Sequence, residues 1–116
     1  MSKYYPAFQT AGNLVFVSGQ NAEQADGSIS GDAYEQAKTS LEIIKGTLEK
    51  AGCTFKDVVK VNCFISEDAD FEGLNKAYSE VFPNNDPTTP ARSVGLGVAW
   101  QTKGSRIEIE MIANKS

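Results

Sequence analysis

The chain has 116 residues, enough for one hydrophobic core and too few for two. Hydrophobic residues make up 41% and charged residues 22%, an ordinary globular composition that argues against disorder; no run approaches the roughly 18 apolar residues of a membrane span. A formal net charge of -4 disfavours nucleic acid as a partner, and the absence of histidine removes Ser-His-Asp and Cys-His nucleophile activation and every histidine-containing metal site.

The N-terminal Met1-Ser2-Lys3-Tyr4-Tyr5-Pro6 has no apolar run after its lysine and does not read as a signal peptide. Tyr4 and Tyr5 could cover a ligand or anchor the terminus. Leu14-Val15-Phe16-Val17-Ser18 predicts a strand buried on both faces, bounded by Gly12-Asn13 and Gly19-Gln20. Ser18-Gly19 could present a hydroxyl and a backbone N–H to an anion, or simply end the strand. Asp26-Gly27 marks a turn.

Residues 32–51 predict a helix. Asp32 and Glu35 form a capping-box pattern, Ala33, Ala37, Leu41, Ile44 and Leu48 make an apolar stripe, and Gly52 supplies the stop. Residues 59–65 predict a strand with Val59, Val61, Cys63 and Ile65 on one face and Lys60, Asn62 and Phe64 on the other. A second helix is predicted over about 70–82, burying Phe71, Leu74, Tyr78, Val81 and Phe82 and ending at Pro83. A loop over 84–90 leads to strands over 91–98 and 106–113, joined by a turn-like connection over 101–105. Trp100 is expected in core or interface packing. Cys53 and Cys63 predict two buried free thiols in a reducing, cytoplasmic setting, with a disulfide between them as the alternative.

This order predicts an α+β or α/β fold, one domain over 1–116, whose two helices can cover only one face of the sheet. The strands carry apolar residues toward the other face as well, which calls for cover from a second copy of the chain; Phe64 and its neighbours as scattered surface apolars are the competing reading.

Chemistry has few places to sit. Arg92 follows Pro90 at a strand entry, where a fixed guanidinium can grip a carboxylate through two parallel hydrogen bonds; an ordinary surface arginine is the competing reading. In Arg106-Ile107-Glu108-Ile109-Glu110-Met111-Ile112, alternation puts Glu108 and Glu110 on one side, as a solvated face or with one of them a general base beside a cleft. Gly95-Leu96-Gly97 is no dinucleotide fingerprint, because no third glycine or helix follows.

Taken together, Gly12-Asn13-Leu14-Val15-Phe16-Val17-Ser18-Gly19-Gln20, Asp57-Val58-Val59-Lys60-Val61, Asn75-Lys76-Ala77-Tyr78, Pro90-Ala91-Arg92-Ser93 and Ile107-Glu108-Ile109-Glu110 resemble the Rid family. These are the reactive-intermediate (enamine/imine) deaminases, also labelled endoribonuclease L-PSP. The resemblance implies a chorismate-mutase-like fold of the bacillus type, a homotrimer with a cleft at each subunit interface, and no cofactor or metal. It implies hydrolysis of 2-aminoacrylate and related 2-imino acids, such as 2-iminopropanoate and 2-iminobutanoate, to 2-keto acids and ammonia.

By position, the resemblance makes Arg92 the ligand of the substrate carboxylate and Glu108 the group that positions or activates water. It makes Tyr5, Ser18, Gly19 and Asn75 pocket residues, with Val94 standing where many relatives have a cysteine. Departures are a first strand that is short or missing, Tyr5 flanked by Tyr4 and Pro6, glycines at 95 and 97, and one extra residue in the connection over 101–105. A non-enzymatic trimer that binds small carboxylates or acts as a chaperone is the alternative function. No nucleic acid or membrane partner is expected, and ribonuclease activity is the weakest reading.

Overall fold

A computed structural model describes residues 3–98 and 102–115. Five strands and two α-helices follow in the order β1 (Phe8–Ala11), β2 (Leu14–Gln20), α1 (Ala33–Lys50), β3 (Val58–Ile65), α2 (Phe71–Ser79), β4 (Ala91–Leu96) and β5 (Ile107–Asn114). The strands form one mixed sheet in the order β1-β2-β5-β3-β4, with β3 and β4 parallel and the other pairs antiparallel. Both helices pack on one face, the α+β arrangement expected, and Trp100 lies outside the described residues.

Local chemistry accounts for the element ends. Gly12, at φ +59°, takes the first position of the two-residue turn that pairs Ala11 with Leu14, so a short first strand is present. The Asp32 carboxylate accepts from the Glu35 N–H while Glu35 reaches back to the Asp32 N–H, closing the capping box on α1. Gly52, at φ +85°, ends α1, with Cys53 N–H donating to Leu48 C=O and Gly52 N–H to Glu49 C=O.

The core holds the apolar stripe of α1, Leu74, Ala77 and Tyr78 of α2, and every second residue of the strands: Val15, Val17, Val61, Cys63, Ile65, Ile107, Ile109, Met111 and Ala113. Both cysteines are free and buried. Burial pushes the Cys63 thiol up to about 11, so it stays protonated near neutral pH.

Four expectations need correction. The strand over 14–18 is buried on one face only: Val15 and Val17 face the helices, while Leu14 and Phe16 are 37% and 41% exposed on the other side. A register shift between Val58 and Lys60 gives Val58 the buried place that alternation had assigned to Val59. The second helix is shorter than 70–82, because a 3-10 turn over Asp68–Asp70 precedes it and Pro83 disfavours helical geometry just before it. As a result Phe82 is buried beyond the helix end, Val81 is half-buried, and Phe71 is 40% exposed. The strand over 91–98 stops at Leu96, where Gly97 turns to φ +83° and Gly97 and Val98 N–H both donate to Ile65 C=O.

Candidate functional site

Backbone register divides the candidate residues between the two faces of the sheet. Arg92 pairs with Val61 and Val94 with Cys63 across the parallel β3–β4 ladder, so both point to the helix side. Val94 packs against the core there. The Arg92 guanidinium carbon lies 4.7 Å from the Tyr78 ring centroid and 5.8 Å from that of Phe71, both on α2. Asn75 falls between them at helical spacing, four residues after Phe71 and three before Tyr78, on the same stripe. Among the described residues no carboxylate lies within ion-pair distance of Arg92.

Arg106 differs. Its Nε donates to Asp70 Oδ1 at 2.8 Å and its Nη2 to Glu67 Oε1, which ties β5 to the start of α2. The Gln36 side chain holds the same corner from inside the protein. Its amide nitrogen donates to Gly31 C=O and Gly104 C=O, and its oxygen accepts from the Arg106 N–H.

Glu108, Glu110, Ser18 and Gly19 belong to the open side. The pairing of β3 with β5 runs unbroken from Lys60–Ile112 to Ile65–Ile107, with Glu108 opposite Phe64 and Glu110 opposite Asn62. Both glutamates therefore point away from the helices, as alternation predicts. Asn62 Nδ2 donates to Glu110 Oε2 at 3.2 Å. Glu108 is half-buried, and its carboxyl is raised above the usual value, first by burial and then by the charge of Glu110.

Next to Glu108 the β2–β5 ladder is irregular. Val17 pairs with Met111 and Gln20 with Ile109, so Ser18 and Gly19 together face the single Glu110. This bulge brings the Gly19 backbone against Glu108: a Cβ at position 19 would sit 2.8 Å from Glu108 Oε2. Only glycine lets the carboxylate lie there undisturbed. Ser18 Oγ donates to Pro6 C=O at 2.7 Å, and Ser18 N–H to Ala7 C=O at 2.9 Å. These bonds anchor the segment carrying Tyr5, whose own side chain is 55% exposed.

The candidates thus fall into two groups: Asn75 on α2 with Arg92 and Val94 on the helix side, and Ser18, Gly19 and Glu108 on the open face, with Tyr5 in the segment tied to Ser18 through Pro6. Two strand spacings, about 10 Å, and the sheet itself separate Arg92 from Glu108 within one chain. Sequence reasoning missed the contact of Phe71 and Tyr78 with Arg92, because helical periodicity assigns both rings to the core. The available signal was that they flank Asn75 on one stripe.

The family model described as Endoribonuclease L-PSP matches residues 1–115. A RutC family protein of Haemophilus influenzae is 43% identical over 104 residues, covering 88% of this chain and 79% of the relative. A 2-iminobutanoate/2-iminopropanoate deaminase of Salmonella typhimurium is 38% identical over 103 residues, covering 88% of this chain and 80% of the relative. The crystal structure of E. coli TdcF with bound serine superposes with a TM-score of 0.84 at 35% identity, covering 97% of this chain and 88% of that one. The motif run from Gly12-Asn13 to Ile107-Glu108-Ile109-Glu110, the mixed sheet with two helices on one face and these matches agree: the chain belongs to the Rid family.

Proposed function

We propose that this chain, acting as one domain over 1–116, is a Rid-type deaminase that hydrolyses 2-imino acids to 2-keto acids and ammonia. The observation that carries the reading is a guanidinium without a carboxylate partner among the described residues on one side of the sheet and a carboxylate raised by burial on the other. Two half-sites that one chain cannot join call for a neighbouring copy, and in this reading the assembly is a homotrimer. The bare face supports association. Leu14 and Phe16 are exposed there beside half-buried Phe64 and Ile112, and the protomer is a slab only 19 Å thick. It exposes 6984 Å², against about 6,200 Å² expected for a compact monomer of this mass.

In this mechanism Arg92 of one subunit holds the substrate carboxylate through two parallel hydrogen bonds and so fixes the adjacent imine carbon. Glu108 of the neighbouring subunit takes a proton from water as the water oxygen bonds to that carbon. The C=N electron pair moves to nitrogen, which takes that proton back from Glu108; Glu108 then passes the adduct's hydroxyl proton to the amine, the C–N bond breaks to release ammonia, and the C=O bond closes to the keto acid. The Gly19 bulge keeps Glu108 in place, and Tyr5, Ser18, Asn75 and Val94 border the pocket. Relatives named as imine deaminases support the chemistry, and the serine bound to E. coli TdcF, an amino acid with a free carboxylate, supports a small carboxylate-bearing ligand. Buried unpaired thiols fit a reducing compartment, the cytoplasm in this reading.

The test couples the purified protein to a pyridoxal-dependent threonine dehydratase and follows the keto acid. Catalysis shortens the lag before product appears, and Glu108→Gln and Arg92→Lys restore most of that lag. A full lag with correctly folded wild-type protein overturns the assignment and leaves a carboxylate-binding module.

A further inference from the structure

The surroundings of Arg92 contain more than a carboxylate ligand needs. A long arginine side chain at an edge strand loses much of its bidentate precision if it is free to change rotamer. Here two rings limit that freedom. Tyr78 is buried, its ring tilted against Phe82 with centroids 4.8 Å apart, and Phe82 meets Phe55 edge-on at 5.4 Å. Tyr78 is therefore braced from behind by two further aromatics, while Phe71 forms an outer wall about two helical turns away. The Tyr78 hydroxyl is buried and has no hydrogen-bond partner among the described residues, so no such bond explains the residue. What Tyr78 offers its surroundings is the face of its ring.

We propose that Tyr78 and Phe71 are positioning residues for Arg92, an aromatic platform that orients the guanidinium for the carboxylate of the substrate. The inference rests on the reading of Arg92 as the carboxylate ligand. Cation–π contact leaves the guanidinium N–H donors, which lie in the plane of the group, available to an incoming carboxylate. An ion pair such as that of Arg106 would occupy them. The platform thus fixes Arg92 without competing with the ligand.

The test measures binding of 2-oxobutanoate, apparent KM and kcat, and melting for Tyr78→Leu, Phe71→Leu, Tyr78→Phe and Arg92→Lys. Loss of either ring is expected to weaken keto-acid binding and raise KM roughly threefold to tenfold, the scale of one cation–π contact, with kcat little changed. Tyr78→Phe, which keeps the ring, is expected to rescue KM. Phe71→Leu, at an exposed position, is expected to leave melting nearly unchanged and so carries the test if Tyr78→Leu does not fold. Folded Phe71→Leu with wild-type binding and KM overturns the platform, provided Arg92→Lys still loses binding. A dead Tyr78→Phe overturns it too, by assigning the role to the hydroxyl. Arg92→Lys that binds and turns over normally overturns the functional reading itself.

Discussion

The two faces of the sheet follow one pattern, yet they hold different contents. On the helix side alternate residues are aliphatic or sulfur-bearing and completely covered: Val15, Val61, Cys63, Ile107 and Ile109. On the open side the same strands carry Phe16, Asn62, Phe64, Glu108, Glu110 and Ile112, a mixture of apolar, amide and carboxylate groups only partly shielded. The first face explains why the chain folds; the second, on the proposed reading, meets a neighbouring copy. Arg92 is the exception, a charged group on the helix side of edge strand β4, against the Tyr78 ring of α2. Burial by itself therefore does not separate structural from functional residues here. Whether a polar group already has its partner does.

The largest test of this contrast is Glu108→Gln. It should slow imine hydrolysis by about 10²–10⁴-fold, the usual share of a general base, and leave 2-oxobutanoate binding intact. Glu110→Gln should cost far less in rate at neutral pH. If Glu110→Gln proves the dead variant, the open face has been read in the wrong order. Next, Phe16→Glu should disperse the oligomer on light scattering while the subunit keeps its fold. On the opposite side of the same sheet, Ile109→Ala should instead cost about 2–5 kcal/mol of stability in denaturant unfolding, mostly by leaving a cavity. If Phe16→Glu leaves the oligomer unchanged, the bare face is not the contact surface.

Finer tests concern charge. Burial and then Glu110 raise the Glu108 carboxyl, so kcat/KM should climb with pH on an acid limb above the ordinary carboxylate range. Glu110→Gln should move that limb to lower pH by removing a like charge. The smallest effect is thermal. A carboxyl whose folded pKa is raised opposes folding once ionised, above its folded pKa, and ceases to do so below its unfolded pKa. Glu108→Gln should therefore melt slightly higher than the parent at neutral pH, and the gap should close as pH falls through the Glu108 pKa. A gap that widens in acid would mean that Glu108 is paired and not isolated.

Most of the fold was legible because its signals are local. The Asp32–Glu35 capping box, the Gly52 stop and the alternation in β5 each involve residues a few positions apart. Errors came where distant contacts override pattern. Val59 looks core-facing until the register shift in β3 is known, and Phe71 looks buried until α2 is seen to begin at that residue, after a 3-10 turn, with its ring partly exposed. Periodicity narrowed the acidic candidates to Glu108 and Glu110, and family resemblance then favoured Glu108. That Arg92 and Glu108 face opposite ways follows from the β3–β4 and β3–β5 registers, long-range pairings that motif spacing does not contain. Gln36 was likewise invisible as a brace, because a buried amide on an amphipathic helix carries no mark in the pattern.

The division of Arg92 and Glu108 between opposite sides of one chain has a genetic consequence. In a closed ring of three, each site would take its arginine from one chain and its glutamate from the next. On the proposed mechanism, chains carrying Arg92→Lys and chains carrying Glu108→Gln would each be inactive alone. Every ring that contains both kinds holds one junction where an intact arginine meets an intact glutamate. Two null alleles of this gene would therefore complement each other in the same cell, whereas two lesions confined to one half-site would not.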